Sequence, residues 1–192
     1  MSHGWIGSIE LLHHFSYQFN AYLCSWNSYF MYTKEEKKAH IKRFWEGFDF
    51  YCENRPEWKG QKKKWILHDT NIGHVDLKFD VGKNFAAVAL EINYRNPETR
   101  LKIFELTERY RPMLEEGFPN GLIWDFAYLR DNGQEVARIY CRTDGIDYHR
   151  VSDWQAIFTF FAENMYRLQN NFLDIQEYLA DEVNAALRND AF

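Results

Sequence analysis

Cysteine is scarce in this chain. Its 192 residues include three cysteines, Cys24, Cys52 and Cys141, which are widely spaced and form no Cys-x-x-Cys pair. An odd number at this spacing argues against a disulfide framework and against a cysteine-rich zinc site. The sequence therefore predicts reduced, buried thiols, as expected of a cytoplasmic protein.

Long apolar runs and an excess of basic residues are also lacking. The longest apolar stretches, such as residues 85–90, are too short to cross a bilayer, and no basic segment followed by an aliphatic run opens the chain. Lys and Arg number 23 against 28 Asp and Glu, so the net charge of −5 disfavours a dedicated nucleic-acid binder. Neither a glycine-rich phosphate loop nor a serine nucleophile elbow occurs.

Apolar and aromatic residues are abundant instead. Hydrophobic residues make up 46% of the chain and aromatic residues 18%, which is enough for a substantial core. Residues 32–192 are predicted to form a single α/β domain. Residues 1–31 contain a single charged residue, Glu10, and are predicted to be a separate arm, either a short helix over residues 9–23 or poorly ordered. Met31 precedes a strong helix start, so translation from there would also give the complete domain.

Capping, alternation and turn signals predict the element order α-β-β-β-α-β-β-α. Thr33 and Glu36 form a capping box at the start of the first helix. A short strand over residues 65–68 precedes a hairpin over residues 74–94, whose turn is placed at Gly82-Lys83 with glycine supplying a positive φ. An Asp-Asn-Gly turn joins a second hairpin, and a helix of about 35 residues follows. This order predicts an α+β domain with a mostly antiparallel sheet covered by helices.

The predicted register of the first hairpin gathers polar side chains on one sheet face. The turn pairs each polar residue with a partner on the next strand: His74 with Glu91, Asp76 with Ala89, and Lys78 with Ala87. His74, Asp76 and Glu91 are therefore candidate metal ligands, since the two alanines leave room for an ion. The alternative is a solvated sheet face with a cross-strand His–Glu contact.

Short stretches between residues 32 and 180 carry a family resemblance: Arg43-Phe44-Trp45-Glu46-Gly47-Phe48, Trp65-Ile66, Val75-Asp76-Leu77-Lys78-Phe79-Asp80, Ala89-Leu90-Glu91-Ile92, Ala137-Arg138-Ile139-Tyr140 and Trp154. This ordered set resembles a bacterial family described only as domain of unknown function 4268. Members of that family are often fused to, or encoded beside, nuclease-like and restriction-type proteins. The resemblance implies a nuclease-type association but supplies no mechanism.

The element order also resembles the α-β-β-β-α-β core of restriction-type nucleases. In that core, an Asp on the second strand and an acidic-x-Lys triplet on the third hold magnesium and activate water. The resemblance implies Asp76, Asp80 and Glu91 as metal ligands, and it places Asn93 where the lysine is expected. An amide cannot supply the positive charge of that lysine. Lys78 is the candidate to replace the missing lysine, but the predicted register places it about 13 Å along the sheet from the His74–Glu91 pair.

Two groups of basic residues are candidate nucleic-acid contacts. Lys62, Lys63 and Lys64 lie between two tryptophans and could follow a phosphate backbone while a ring stacks on a base. Arg138 and Arg142 share one face of a later strand and could pair with phosphate. The alternatives are a solvated loop for the lysines and pairing with acidic neighbours for the arginines.

These observations predict a non-catalytic binding or assembly module that needs no cofactor. The first alternative is a magnesium-dependent nuclease that uses the acidic residues of the first hairpin. The second is an oligomerisation domain, because Leu179, Val183 and Leu187 extend the apolar stripe of the last helix beyond the length that a compact domain needs. The expected partners are accordingly a nuclease-type protein, nucleic acid or a second copy of the chain.

Overall fold

The computed structural model of the chain describes residues 33–56 and 70–189. The predicted arm over residues 1–31, the short strand over residues 65–68 and the basic residues 62–64 lie outside these ranges. The described helices and strands are α1 (Lys34–Glu53), β1 (Val75–Val81), β2 (Phe85–Ile92), α2 (Pro97–Glu108), α3 (Arg111–Leu114), β3 (Ile123–Leu129), β4 (Glu135–Asp144) and α4 (Trp154–Asn189).

Helix α1 begins at the predicted capping box. The Thr33 hydroxyl accepts a hydrogen bond from the Glu36 backbone N–H at 3.2 Å, and the Glu36 carboxylate accepts one from the Thr33 backbone N–H at 2.7 Å. Phe44, Phe48 and Cys52 recur at helical spacing and are buried, so this face of the helix joins the core. Cys52 is a buried free thiol, as predicted.

The strands of the described residues form one antiparallel sheet in the order β1-β2-β4-β3. Alternate side chains, such as those of Leu77 and Leu90, are buried against the helices. The predicted α+β architecture, a mostly antiparallel sheet covered by helices, is confirmed. The Asp-Asn-Gly turn is confirmed as well, since Gly133 has a φ of +79° and donates its N–H to the Arg130 carbonyl at 2.8 Å.

The first hairpin turns one residue later than predicted. The Gly82 N–H donates to the Phe85 carbonyl at 3.0 Å, so the two turn residues are Lys83 and Asn84. Gly82 does not adopt a positive φ; a Cβ at this position would overlap the ring of Phe85, and this close approach is what requires glycine. Because the turn moves by one residue, the pairing moves by two, and the predicted register is wrong: Asp76 faces Glu91 and Lys78 faces Ala89.

Helix α4 is one continuous helix of 36 residues. Leu179 and Val183 are 0% and 1% exposed within the single chain, and Leu187 packs against the same core. Lys102 of α2 donates from Nζ to the Ala186 carbonyl at 3.3 Å, which ties α2 to the end of α4. The prediction that this stripe extends beyond the core is therefore wrong, because α2 and α3 widen the surface that α4 covers.

None of the helices formed by residues 33–56 and 70–189 combines the length and the apolar composition that crossing a membrane requires.

Candidate functional site on the polar face of the sheet

Glu91 lies at the centre of the sheet face that points away from the core helices. On β2 it is paired with Asp76 of β1 on one side and with Arg138 of β4 on the other. Its side chain is 0% exposed, and Ala87 and Ala89 on the same face are also buried. The expectation of a solvated sheet face is therefore wrong at its centre.

Cationic side chains bind both oxygens of the Glu91 carboxylate. Lys78 Nζ donates to Oε1 at 2.6 Å, and Arg138 donates to Oε2 from Nη2 at 2.9 Å and from Nε at 3.3 Å. Arg130 donates from Nη2 to Oε1, and from Nε to Oε2 at 3.3 Å. Charged donors form stronger hydrogen bonds than neutral ones, so this carboxylate is held tightly on both oxygens. We call these four residues the Glu91 network.

The corrected register explains how Lys78 reaches Glu91. Because Lys78 faces Ala89 instead of Ala87, it is the diagonal neighbour of Glu91 on the adjacent strand. The predicted separation of about 13 Å along the sheet between Lys78 and Glu91 is therefore wrong. Lys78 Nζ also lies 3.7 Å from the carboxylate of Asp76, so it sits between two acidic side chains.

Arg138 is held between two carboxylates and an aromatic ring. Its Nη1 donates to Asp80 at 2.6 Å, and its Cζ lies 3.9 Å from the ring centroid of Tyr128. A β-bulge between Asp125 and Tyr128 positions that ring, and the Asp125 carboxylate stabilises the bulge by accepting the Ala127 N–H at 3.0 Å. With 5% of its surface exposed, Arg138 is a buried cation with its own aromatic platform.

Arg130 is a member of the Glu91 network that the sequence analysis missed. It directly precedes the Asp-Asn-Gly turn, where its backbone N–H donates to the Gln134 carbonyl at 3.0 Å and its Nη1 to the Gln134 side-chain oxygen at 2.6 Å. Strand alternation could have revealed it, because Arg130 lies two residues beyond Tyr128 and both reach the face of Arg138. The bulge obscured this pattern, since it interrupts the alternation just before Tyr128.

Glu91 and Arg138 stay ionised over a wide pH range. Burial raises the pKa of Glu91, but the hydrogen bonds from Arg130, Lys78 and Arg138 outweigh it and lower that pKa from 4.5 to about 2. Burial lowers the pKa of Arg138, whereas its hydrogen bonds to Asp80 and Glu91 raise it above the usual value. The three cations of the face are balanced by three carboxylates, those of Asp76, Asp80 and Glu91.

Of the residues named as metal ligands, Asp76 lies directly opposite Glu91 and is linked to His74 through Asn93, whereas Asp80 lies apart from them. Asp76 and Asp80 lie four residues apart on β1, about 13 Å along the strand, and bind different cations. His74 donates from Nδ1 to the Asn93 side-chain oxygen at 3.1 Å, and Asn93 Nδ2 donates to Asp76 at 2.9 Å. Within the described part of the chain, no group of three or more His, Cys, Asp or Glu side chains is placed to hold a metal ion.

The two arginines named as nucleic-acid contacts pair with acidic neighbours. Arg138 is buried on Asp80 and Glu91, so a phosphate could not reach it without breaking the network. Arg142 donates from Nε to Asp144 at 2.7 Å, and its Cζ lies 4.3 Å from the ring centroid of Phe85. Lys62, Lys63 and Lys64 lie outside the described residues.

The comparison with known families places this arrangement in a sequence family. No curated protein and no solved structure matches the chain. The family model described as Domain of unknown function (DUF4268) matches residues 41–176, a span that includes Glu91 and the side chains bound to it. Because this span is well over half of the chain, the protein belongs to the DUF4268 family.

Proposed function

We propose that this chain is a non-catalytic binding or assembly module of the cytoplasm, in which the Glu91 network holds the sheet together and does not cleave a substrate. The observation that supports this proposal is the occupation of Glu91, whose two buried oxygens accept hydrogen bonds from Lys78, Arg130 and Arg138. A catalytic carboxylate needs an oxygen that a metal ion, a water or a substrate can reach. In this face, protein cations take those positions.

Binding of a magnesium ion to Glu91 would be unfavourable. Magnesium binds through carboxylate oxygens while keeping several of its waters, so it needs both a free oxygen and space. Here the side chain of Glu91 is fully buried, and the ion would have to displace positive charges already bound to it. We therefore expect the network to persist in the presence of magnesium.

The test is nucleic-acid cleavage by the purified chain. Plasmid DNA and single-stranded RNA are incubated with magnesium or manganese, and we expect no cleavage above background from the wild type or from Glu91→Gln. Asp144→Asn is the matched control, because it removes an exposed carboxylate on the same sheet. Cleavage by the wild type and by this control that disappears in folded Glu91→Gln and Asp76→Asn chains would contradict the proposal.

A metal-dependent nuclease is the second candidate, and the position of Lys78 favours it. Lys78 Nζ lies 2.6 Å from Glu91 and 3.7 Å from Asp76, next to two of the acidic residues that the nuclease resemblance implies. In this candidate, Lys78 supplies the positive charge that Asn93 lacks, and Asp80 is a further ligand. Lys78→Met would then abolish cleavage in a chain that still folds, whereas the binding module has no cleavage to lose.

The partner of such a module is proposed to be a nuclease-type protein, nucleic acid or a second copy of the chain. Sedimentation velocity identifies the homo-oligomer by a mass above that of one chain. A mobility-shift titration with duplex DNA identifies nucleic acid, and raising the salt concentration should weaken that binding if phosphates are contacted. A monomer that shifts no DNA would rule out a second copy of the chain and duplex DNA as partners.

A further inference from the structure

An open groove of about 480 Å³ lies between the start of α2 and the β3–β4 hairpin, lined by Arg95, Pro97, Arg100, Gln134 and Glu135. We propose that this groove binds a small ligand through a carboxylate group. The inference rests on the binding function proposed above and names the class of ligand. The volume falls in the range of small-molecule sites.

Arg100 is the buried cation of this groove. The residue is 2% exposed, its Nη1 donates to the Tyr94 carbonyl at 3.1 Å, and its Nη2 donates to Glu135. Its Nε is buried as well and has no hydrogen-bond partner among the described residues. A buried donor of a charged group that stays unpaired is unfavourable, so the guanidinium retains a binding capacity that the described part of the chain does not use.

Arg95 adds a second cation to the groove. It is exposed on the loop between β2 and α2, and it forms no hydrogen bond or ion pair with the other described residues. Two arginines and Glu135 give the lining a net charge of +1. Helix α2 also begins here, and although Asn96 already accepts the Glu98 and Thr99 N–H groups, the positive end of the helix dipole favours an anion.

Glu135 indicates which kind of anion the groove accommodates. Its carboxylate is bound by Arg100 Nη2, yet half of its side chain is exposed, so it can swing into solvent. A guanidinium binds a carboxylate best through two parallel donors, and Nε and Nη2 of Arg100 form one such edge. Glu135 uses only one of these donors. A ligand carboxylate that replaces Glu135 would engage both and would gain the charge of Arg95.

The experiment measures the chemical shift of the Arg100 Nε–Hε group by ¹H–¹⁵N NMR in the full chain. Sodium succinate is the probe, and sodium chloride at the same ionic strength is its control. We expect a saturable shift of the Arg100 Nε–Hε signal and of the Gln134 and Glu135 amides. Affinity should fall about tenfold in Arg95→Gln and stay unchanged in Arg109→Gln, an exposed arginine at the other end of α2.

A second variant tests the role of Glu135 as an internal competitor. Glu135→Gln removes the bound carboxylate, so succinate should bind at least about threefold more tightly. The inference is overturned if chloride produces the same shift, if no saturation occurs below about 50 mM succinate, or if inorganic phosphate shifts the signal and succinate does not. Such a failure would leave the non-catalytic proposal standing, whereas nucleic-acid cleavage in the assay above would overturn that proposal independently of the groove.

Discussion

Replacing Glu91 with glutamine should strongly destabilise the fold, although it changes few atoms. The amide is nearly isosteric with the carboxylate, so the sheet geometry is preserved while the negative charge is removed. Arg138, with 6% of its side chain exposed, then keeps Asp80 as its remaining carboxylate, and Arg130 and Lys78 lose their closest one. The variant thus leaves two partly buried cations without their closest carboxylate, and the buried Arg138 with one carboxylate instead of two.

The size of this effect follows from the burial of the pair. Breaking a buried ion pair by removing one partner costs about 3–5 kcal/mol, because the remaining charge has no solvent to stabilise it. For a chain of 192 residues, each kcal/mol lowers the melting temperature by about 2–4 °C, so we expect a drop of roughly 6–20 °C. Asp144→Asn, which removes an exposed partner of Arg142, should change the melting temperature by less than about 2 °C.

The contribution of Glu91 to the stability of the fold should also depend on pH. The pKa of Glu91 is about 2 in the folded chain against 4.5 for the ordinary group, so its stabilising contribution is complete above pH 4.5 and is lost as the pH falls toward 2. This difference corresponds to about 3 kcal/mol before solvent screening at the partly exposed Lys78 and Arg130 reduces it. The difference in free energy of unfolding between wild type and Glu91→Gln should therefore decrease as the pH falls from 4.5 toward 2.

The assay is urea unfolding followed by circular dichroism at several pH values between 3 and 7. The slopes of the unfolding curves must stay equal for the free energies of unfolding to be compared. A Glu91→Gln chain that is as stable as the wild type at pH 7 would refute the claim that the network stabilises the sheet. A gap that stays constant down to pH 3 would refute the assignment of the stabilisation to an ionised Glu91.

The remaining predictions concern the core, the turns and the N-terminal arm. Val183→Glu should lower the free energy of unfolding, measured in urea, by at least about 3 kcal/mol, because it buries a charge. An unchanged free energy of unfolding would contradict the burial of Val183. Burial raises the pKa of Cys141 to about 11, so peptide mapping at pH 8 should find it alkylated far more slowly than in the unfolded chain. Gly133→Ala should cost about 1 kcal/mol, since alanine disfavours a φ of +79°, and an unaffected melt would contradict this. The melting temperature of a chain that begins at Met31 should lie within about 10 °C of that of the full chain. A larger decrease would show that the arm is part of the core.

Features that depend on neighbouring residues could be predicted from the sequence. The Thr33–Glu36 cap and the Asp-Asn-Gly turn each involve residues within a few positions of one another, and both are present in the structure. The alternation that sends Leu77 to the core and Lys78 to the opposite face is equally local, because strand geometry alone produces it. Together with the element order, these signals were sufficient for the fold class.

The pairing register could not be read in the same way. Glycine at position 82 indicates a turn, but glycine is also required where a side chain packs directly against the backbone. At Gly82 that side chain is the ring of Phe85. The sequence alone does not distinguish these two uses. A turn misplaced by one residue therefore placed Lys78 two residues farther from Glu91 along the sheet than it is, and the predicted site changed with it.

The partners of Glu91 were decided by tertiary structure. Lys78, Arg130 and Arg138 stand 13, 39 and 47 residues from Glu91 along the chain, and strand pairing, a hairpin turn and a bulge bring them together. The burial of Leu179 and Val183 likewise depends on helices α2 and α3, which are distant in sequence from the end of α4. The local elements and the chemistry of each strand face could be predicted from the sequence, because they follow from adjacent residues. Which of those groups meet depends on contacts between segments that are distant in the sequence, and these contacts form only when the chain folds.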